Sequence, residues 1–168
     1  MTVRYRRQVS RSPAFDPQRN LLYRMEYEAL GARGYEGLTR ANVRQFARGT
    51  CRSLGVHQAV IRFSDIGAWS GEYGEGVVTL NHKRKGALCL LTIAHELGHH
   101  VHCALAPEND HEPHGPQFLA AYMAVLDNGR VLPVVGMRAI LDFYKLRYHD
   151  PGTKNSLTAL KRAVTRPS

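Results

Sequence analysis

The sequence predicts an α+β domain: a small antiparallel or mixed sheet packed on a central helix, with additional helices around it. Three observations predict it. Apolar residues recur at helical spacing in several segments. Two short β-rich runs, residues 59–63 and 76–81, interrupt them. One helix, roughly residues 87–103, is apolar on nearly every side, as a buried central helix must be. The chain of 168 residues, 43% hydrophobic and 22% charged, has the length and composition of one globular domain with a real core.

Residues 1–15 read as a flexible N-terminus, 16–150 as one domain and 151–168 as a basic C-terminal tail. The first helix opens with Asp16 as N-cap and Pro17 at its first position. It runs through Leu21, Leu22, Met25 and Leu30 and ends near Gly31 or Gly34. Thr39 caps a second helix, with Leu38 and Val43 spaced as a hydrophobic staple. Val43, Phe46, Ala47 and Leu54 mark its apolar face, and Gly55 stops it.

A strand follows over residues 59–63. Residues 67–76 read as a polar, glycine-rich connection carrying Trp69. The second strand, 76–81, ends at Asn81, and Lys83-Arg84-Lys85 leads into the central helix. After a loop over 108–113, Pro116 opens a helix carrying Phe118, Leu119, Tyr122 and Met123. Residues 133–147 form another amphipathic segment, broken at Asp150-Pro151-Gly152, and a short helix fits 157–164.

The formal charge is +9. It is unevenly placed: +7 over residues 1–52, −3 over 53–137 and +5 over 138–168. Basic termini of this kind attract nucleic-acid phosphates or simply face solvent. Three cysteines, Cys51, Cys89 and Cys103, are too few and too unevenly spaced for a disulfide framework or a zinc ribbon. They predict free thiols in a reducing, cytoplasmic setting. No apolar run reaches the ~20 residues of a membrane span, and no apolar stretch follows the charged N-terminus as in a signal peptide.

The chemistry concentrates at His95-Glu96-Leu97-Gly98-His99. Histidines four apart share one helix face and can hold a single divalent metal, with Glu96 beside them to act on a metal-held water. Buried imidazoles and a buried carboxylate on an apolar helix are costly unless paired or metal-bound. A catalytic zinc takes three protein ligands, so a third is required. His100 points about 100° away from His99, and His102 lies about 10.5 Å along the axis from His95. A histidine at the position of Leu105, which another zinc-peptidase arrangement needs, is missing. His114, fixed at a helix entrance by Gly115 and Pro116, is the best candidate. His111 and Glu112 are chemically sound competitors.

His95-Glu96-Leu97-Gly98-His99 followed by His114-Gly115-Pro116-Gln117-Phe118 resembles the SprT-like zinc metalloproteases, the group that includes Spartan. The strand at 77–81 adds to the resemblance, which spans roughly residues 40–126. It implies a minimal zincin-like fold, Zn²⁺ held by His95, His99 and His114, and Glu96 as catalytic base. It also implies protein substrates associated with or crosslinked to DNA. The appended zinc ribbon of some bacterial members has no cysteines here, and the resemblance assigns nothing to the helix at 133–147 or to the basic tail. The Leu97-Gly98 pair also resembles the ImmA/IrrE-type peptidases, which cleave regulatory proteins.

The expected activity is therefore peptide hydrolysis on a protein or peptide substrate. Strand 76–81, as a sheet edge, would bind the substrate backbone. Tyr73, His111 and Tyr122 are candidates to stabilise the oxyanion. His57, His82 and His149 read as surface residues. A nucleic-acid-binding protein with structural zinc is the non-enzymatic alternative, but structural zinc has no use for Glu96.

Overall fold

Thr39 caps the helix that the sequence marks most clearly. Its side chain accepts from the Asn42 amide at 3.1 Å, and the helix spans Arg40–Ser53. Gly55, at φ +65°, ends it in a left-handed conformation that glycine adopts without strain. In this computed structural model, residues 16–31, 37–68, 70–84, 86–107, 112–152 and 157–166 are described. The expected flexible N-terminus, residues 1–15, lies outside them, as do Gly34, Trp69 and His111.

Helix α1 spans Arg19–Met25 and runs on as a π-helical turn, Glu26–Leu30. It buries Leu22, Met25 and Leu30. The expected N-cap is not made. The helix begins at Arg19, with Gln18 at the cap position and no side-chain cap bond. The Asp16 carboxylate is instead engaged by a residue far along the chain. Helix α2 is Arg40–Ser53, and it buries Val43, Ala47, Thr50 and Cys51.

Three strands follow: β1 Val60–Ser64, β2 Gly71–Gly74 and β3 Val77–Asn81. They form a mixed sheet in the order β1-β3-β2, with β1 parallel and β2 antiparallel to β3. Glu75 and Gly76 join β2 to β3, both at positive φ, as a two-residue hairpin turn requires. This corrects two expectations. The strand at 77–81 is central rather than an edge, and part of the glycine-rich connection is itself the edge strand β2. Gly-Glu-Tyr-Gly has no β-branched residue and little intrinsic strand preference, so pairing with β3 makes it a strand.

Helix α3, Leu90–Leu105, carries the histidine motif. It starts later than the apolar pattern suggests because the chain before it is extended. Gly37 and Cys89 form an isolated bridge, and the Leu38 amide donates to the Leu88 carbonyl. Cys89 then caps α3, its sulfur accepting from the Thr92 amide at 3.5 Å.

Helix α4, Pro116–Asn128, lies against α3 and is buried from Pro116 to Leu126. Gly98 permits the close approach. A Cβ there would stand 3.1 Å from the Phe118 ring and 3.3 Å from the Tyr122 Cβ. Helix α5 is Val134–Phe143, shorter than expected because Lys145 turns left-handed at φ +56°. Helix α6, Leu157–Thr165, places Leu160, Ala163 and Val164 in the same core. His149 Nδ1–H donates to the Ala163 carbonyl at 2.9 Å, and Gln117 Nε2 donates to the Arg166 carbonyl at 2.7 Å. The chain is thus α+β, and among the described residues no helix is long and apolar enough to cross a membrane.

Candidate metal centre

Three buried imidazoles meet at one point. Nε2 of His95 lies 3.3 Å from that of His99 and 3.2 Å from that of His114, and the His99–His114 distance is 3.2 Å. His95 and His99 come from one face of α3. His114 comes from the turn before α4, whose Gly115 could not carry a side chain, since its Cβ would stand 2.9 Å from the Glu112 Cβ. Phe118 forms the floor, its ring centroid 4.3 Å from His99, 5.2 Å from His95 and 5.1 Å from His114.

Two of the rings are oriented from behind. Nδ1–H of His95 donates to Glu26 Oε1 at 2.8 Å, and Nδ1–H of His114 donates to Asp16 Oδ2 at 2.6 Å. The same segment grips the His114 backbone, because Gln18 Nε2 donates to its carbonyl at 3.2 Å and to that of Arg147 at 3.1 Å. With their Nδ1–H groups donating to carboxylates, His95 and His114 turn Nε2 towards each other and towards His99. Three imidazole nitrogens this close in a dry interior need a cation among them, a proton on His95 in the metal-free protein or a metal ion in its place. A tetrahedral ion with bonds of ~2.0–2.1 Å sets its ligand atoms about 3.3–3.4 Å apart, close to the spacing here. The donor set therefore fits a metal ion, and carboxylates behind ligating imidazoles are the usual support for one. The His95-His99-His114 group is the one such cluster among the described residues. Nδ1 of His99 is buried with no hydrogen-bond partner.

The electrostatics agree with this. Burial pushes the His99 imidazolium well below its ordinary range and lowers that of His114, so both stay neutral and able to ligate. Burial also acts to lower His95, but the adjoining Glu26 carboxylate outweighs it and holds the group up at about 9. A metal must displace that proton. Burial pushes the Glu96 carboxyl up to about 7. Gly71 of β2 makes room for this side chain, since a Cβ there would lie 2.9 Å from both Glu96 Cγ and Oε1.

A cleft of about 390 Å³ opens beside these groups, lined by Tyr23, Tyr27, Gly71, Arg84, His95 and Glu96. Tyr23 leans over the three-histidine group, with its ring centroid 5.6 Å from both His95 and His114. Arg19 hydrogen-bonds its hydroxyl.

The other expected residues fall elsewhere. His100 turns away, as the helix geometry requires, and its Nε2–H donates to the His57 carbonyl at 2.8 Å. His102 is buried outside the trio. Glu112 pairs with Arg147 at 3.0 Å and takes no part in the cluster, and His111 lies outside the described residues. Two oxyanion candidates are corrected. Tyr122 is fully buried behind Phe118, and Tyr73 packs against His99 with its hydroxyl on Cys103. Cys103 and the other two cysteines are free thiols.

Sequence reasoning missed Glu26 and Tyr23 and gave Asp16 another role. Their partners lie 69 to 98 residues away, and no local spacing signals such a contact. Compared with protein-family models, with curated proteins and with solved structures, the chain matches none.

Proposed function

We propose that the chain is a zinc-dependent hydrolase with a minimal zincin-like fold, and in particular an endopeptidase. One observation carries the reading: a carboxylic acid, Glu96, is buried between a converging three-histidine group and an open cleft. A structural zinc site is closed by four ligands and needs no acid–base group beside it. Three ligands next to a cleft leave a position for chemistry. The resemblance of the two histidine segments to SprT-like metalloproteases supports the same assignment.

His95, His99 and His114 hold the metal, and Asp16 and Glu26 fix two of the three rings. Bound zinc would lower the pKa of a water and polarise the scissile carbonyl. Glu96 takes the proton of the attacking water and passes it to the leaving amine. In the metal-free protein burial already raises this carboxyl above the ordinary carboxylate range, towards that of a group able to take and return a proton. The substrate lies extended along β2, the sheet edge beside Glu96, and adds its backbone to that edge. Tyr23, whose hydroxyl oxygen receives the Arg19 hydrogen bond, keeps its own proton to donate to the developing oxyanion.

The test compares zinc-loaded wild type with Glu96→Gln on unfolded proteins such as casein, read by mass spectrometry of the fragments. Cleavage by wild type and a loss of about 10²–10⁴-fold in the variant are expected. A folded, zinc-loaded wild type that behaves like the variant on every substrate overturns the reading.

A further inference from the structure

The cleft beside Glu96 has a single arginine or lysine among its lining residues, Arg84. Arg84 is exposed, and among the described residues no carboxylate lies within ion-pair distance of it. Of the two carboxyl groups in the lining, Glu26 is engaged by Nδ1–H of His95 at 2.8 Å, and Glu96 is buried against Gly71. The backbone that carries Arg84 is fixed. Asn81, only 1% exposed, accepts from the Lys83 and Arg84 amides at 3.0 and 3.3 Å, and its Nδ2 donates to the Gly67 carbonyl at 3.0 Å. The turn at Arg84 is thereby tied to the loop that brings Ala68 and Ser70 to the cleft.

The sheet puts Arg84 at the reacting end of β2. Strands β2 and β3 run antiparallel, with Gly71 opposite Leu80 and the Asn81 amide donating to the Ser70 carbonyl at 2.9 Å. Arg84 comes three residues after β3 ends, so it lies at the Gly71 end of β2. Gly71 is also the residue that abuts Glu96. A peptide added to the β2 edge therefore passes Glu96 and Arg84 in close succession. We infer that Arg84 selects an aspartate or glutamate side chain close to the scissile bond of an extended peptide. The inference rests on the hydrolase reading for the identity of its substrate.

A guanidinium presents paired N–H donors that match a carboxylate in bidentate fashion. A phosphate would satisfy the same donors, but the β2 edge beside Arg84 offers backbone groups that only a peptide meets strand to strand. An ion pair at an exposed arginine is weak and screened by salt, so it sets a preference of about two- to fivefold, not a strict requirement. Arg84 neither holds nor orients the three histidines, so its replacement should change substrate choice and leave zinc content as it is.

The experiment has two arms, both on the zinc-loaded full chain. In the first, wild type, Arg84→Glu, Arg84→Lys and Lys161→Glu digest a library of peptides capped at both termini, and mass spectrometry reads the residues around each cut. Lys161 is exposed on α6 outside the cleft, and its replacement changes the net charge as much as Arg84→Glu does. In the second, Glu96→Gln, alone and combined with Arg84→Glu, is bound to an array of short capped peptides matched in pairs that differ by Glu against Gln or Lys, with a single-stranded oligonucleotide on the same array. Wild type, Arg84→Lys and Lys161→Glu should show Asp or Glu enriched about two- to fivefold near the cut. Arg84→Glu should reverse the preference towards Lys or Arg, which a loss of packing would not do, and the array should show the same reversal. Cleavage without an acidic preference, or an equal change in Lys161→Glu, would overturn the inference and leave the hydrolase reading standing. Arg84-dependent retention of acidic peptides with no cleavage by wild type would instead overturn the hydrolase reading. Neither cleavage nor such retention would overturn both, and stronger Arg84-dependent retention of the oligonucleotide would assign the residue to phosphate.

Discussion

The Asp16 carboxylate reaches Nδ1 of His114 at 2.6 Å across 98 residues of sequence. Glu26 does the same for His95 at 2.8 Å. The N-terminal helix and the residues before it are therefore part of the candidate metal centre, although they supply no ligand to it. Their carboxylates fix the tautomer and orientation of two rings, and raise the basicity of the nitrogens that would face the metal.

Asp16→Ala should therefore weaken zinc binding by about 10–100-fold, while Asp16→Asn, which keeps an acceptor, should weaken it less. Competition against a chromophoric chelator measures both. Equal affinity in wild type and Asp16→Ala would show that the contact does not support the ligand.

Glu96 gives a pH prediction for the metal-free protein. Burial raises its folded-state pKa to about 7 from an ordinary 4.5. Between those values the folded protein holds a proton that the unfolded chain has released. This group's contribution therefore falls as pH rises from 4.5 to 7 and stays low above. The difference corresponds to about 3 kcal/mol. Glu96→Gln removes the ionisation, so its stability relative to wild type should grow by roughly that amount between pH 4.5 and pH 8. Urea melts of both proteins in chelator measure it. A gap that is flat, or that narrows with pH, would contradict the assignment.

Two glycines in helices should respond oppositely to alanine. Gly49 of α2 has nothing within 4 Å of an added Cβ, so Gly49→Ala should stabilise by about 0.5–1 kcal/mol. At Gly98 the Cβ would press on Phe118 and Tyr122, and Phe118 is itself held against the histidines. Gly98→Ala should destabilise by about 1–3 kcal/mol. Calorimetric melts should therefore move in opposite directions, and a rise in Tm for Gly98→Ala would show that the α3–α4 contact has slack.

Tyr23→Phe tests the proposed oxyanion donor. Loss of one such donor lowers kcat by about 10²–10³-fold. Zinc content, KM and Tm should stay near wild type, because the ring and its contacts with His95 and His114 remain. A fall in zinc content to match the loss in activity would make Tyr23 a packing residue instead.

The site was legible in the sequence where its chemistry is local. The spacing of His95 and His99 places both on one helix face, and Gly115-Pro116 marks His114 as a residue fixed at a helix start. Helix α2 was equally legible, because Thr39 and Gly55 act on their immediate neighbours. What escaped depends on distant contacts. Gly71–Gly74 becomes a strand only by pairing with β3, and it displaces residues 77–81 from the sheet edge. Asp16 looks like a helix cap in sequence, yet its carboxylate is drawn to an imidazole that only the folded chain brings near. Tyr23 and Glu26 lie on an ordinary amphipathic helix, with nothing local to show which face meets the metal site.

The central claim is that His95, His99 and His114 together hold zinc. Elemental analysis of purified wild type and His114→Ala, both shown to be folded, tests it most directly. The proposal predicts about one zinc per wild-type chain and little in the variant. A zinc-free wild type, or a His114→Ala protein that retains full occupancy, would contradict it.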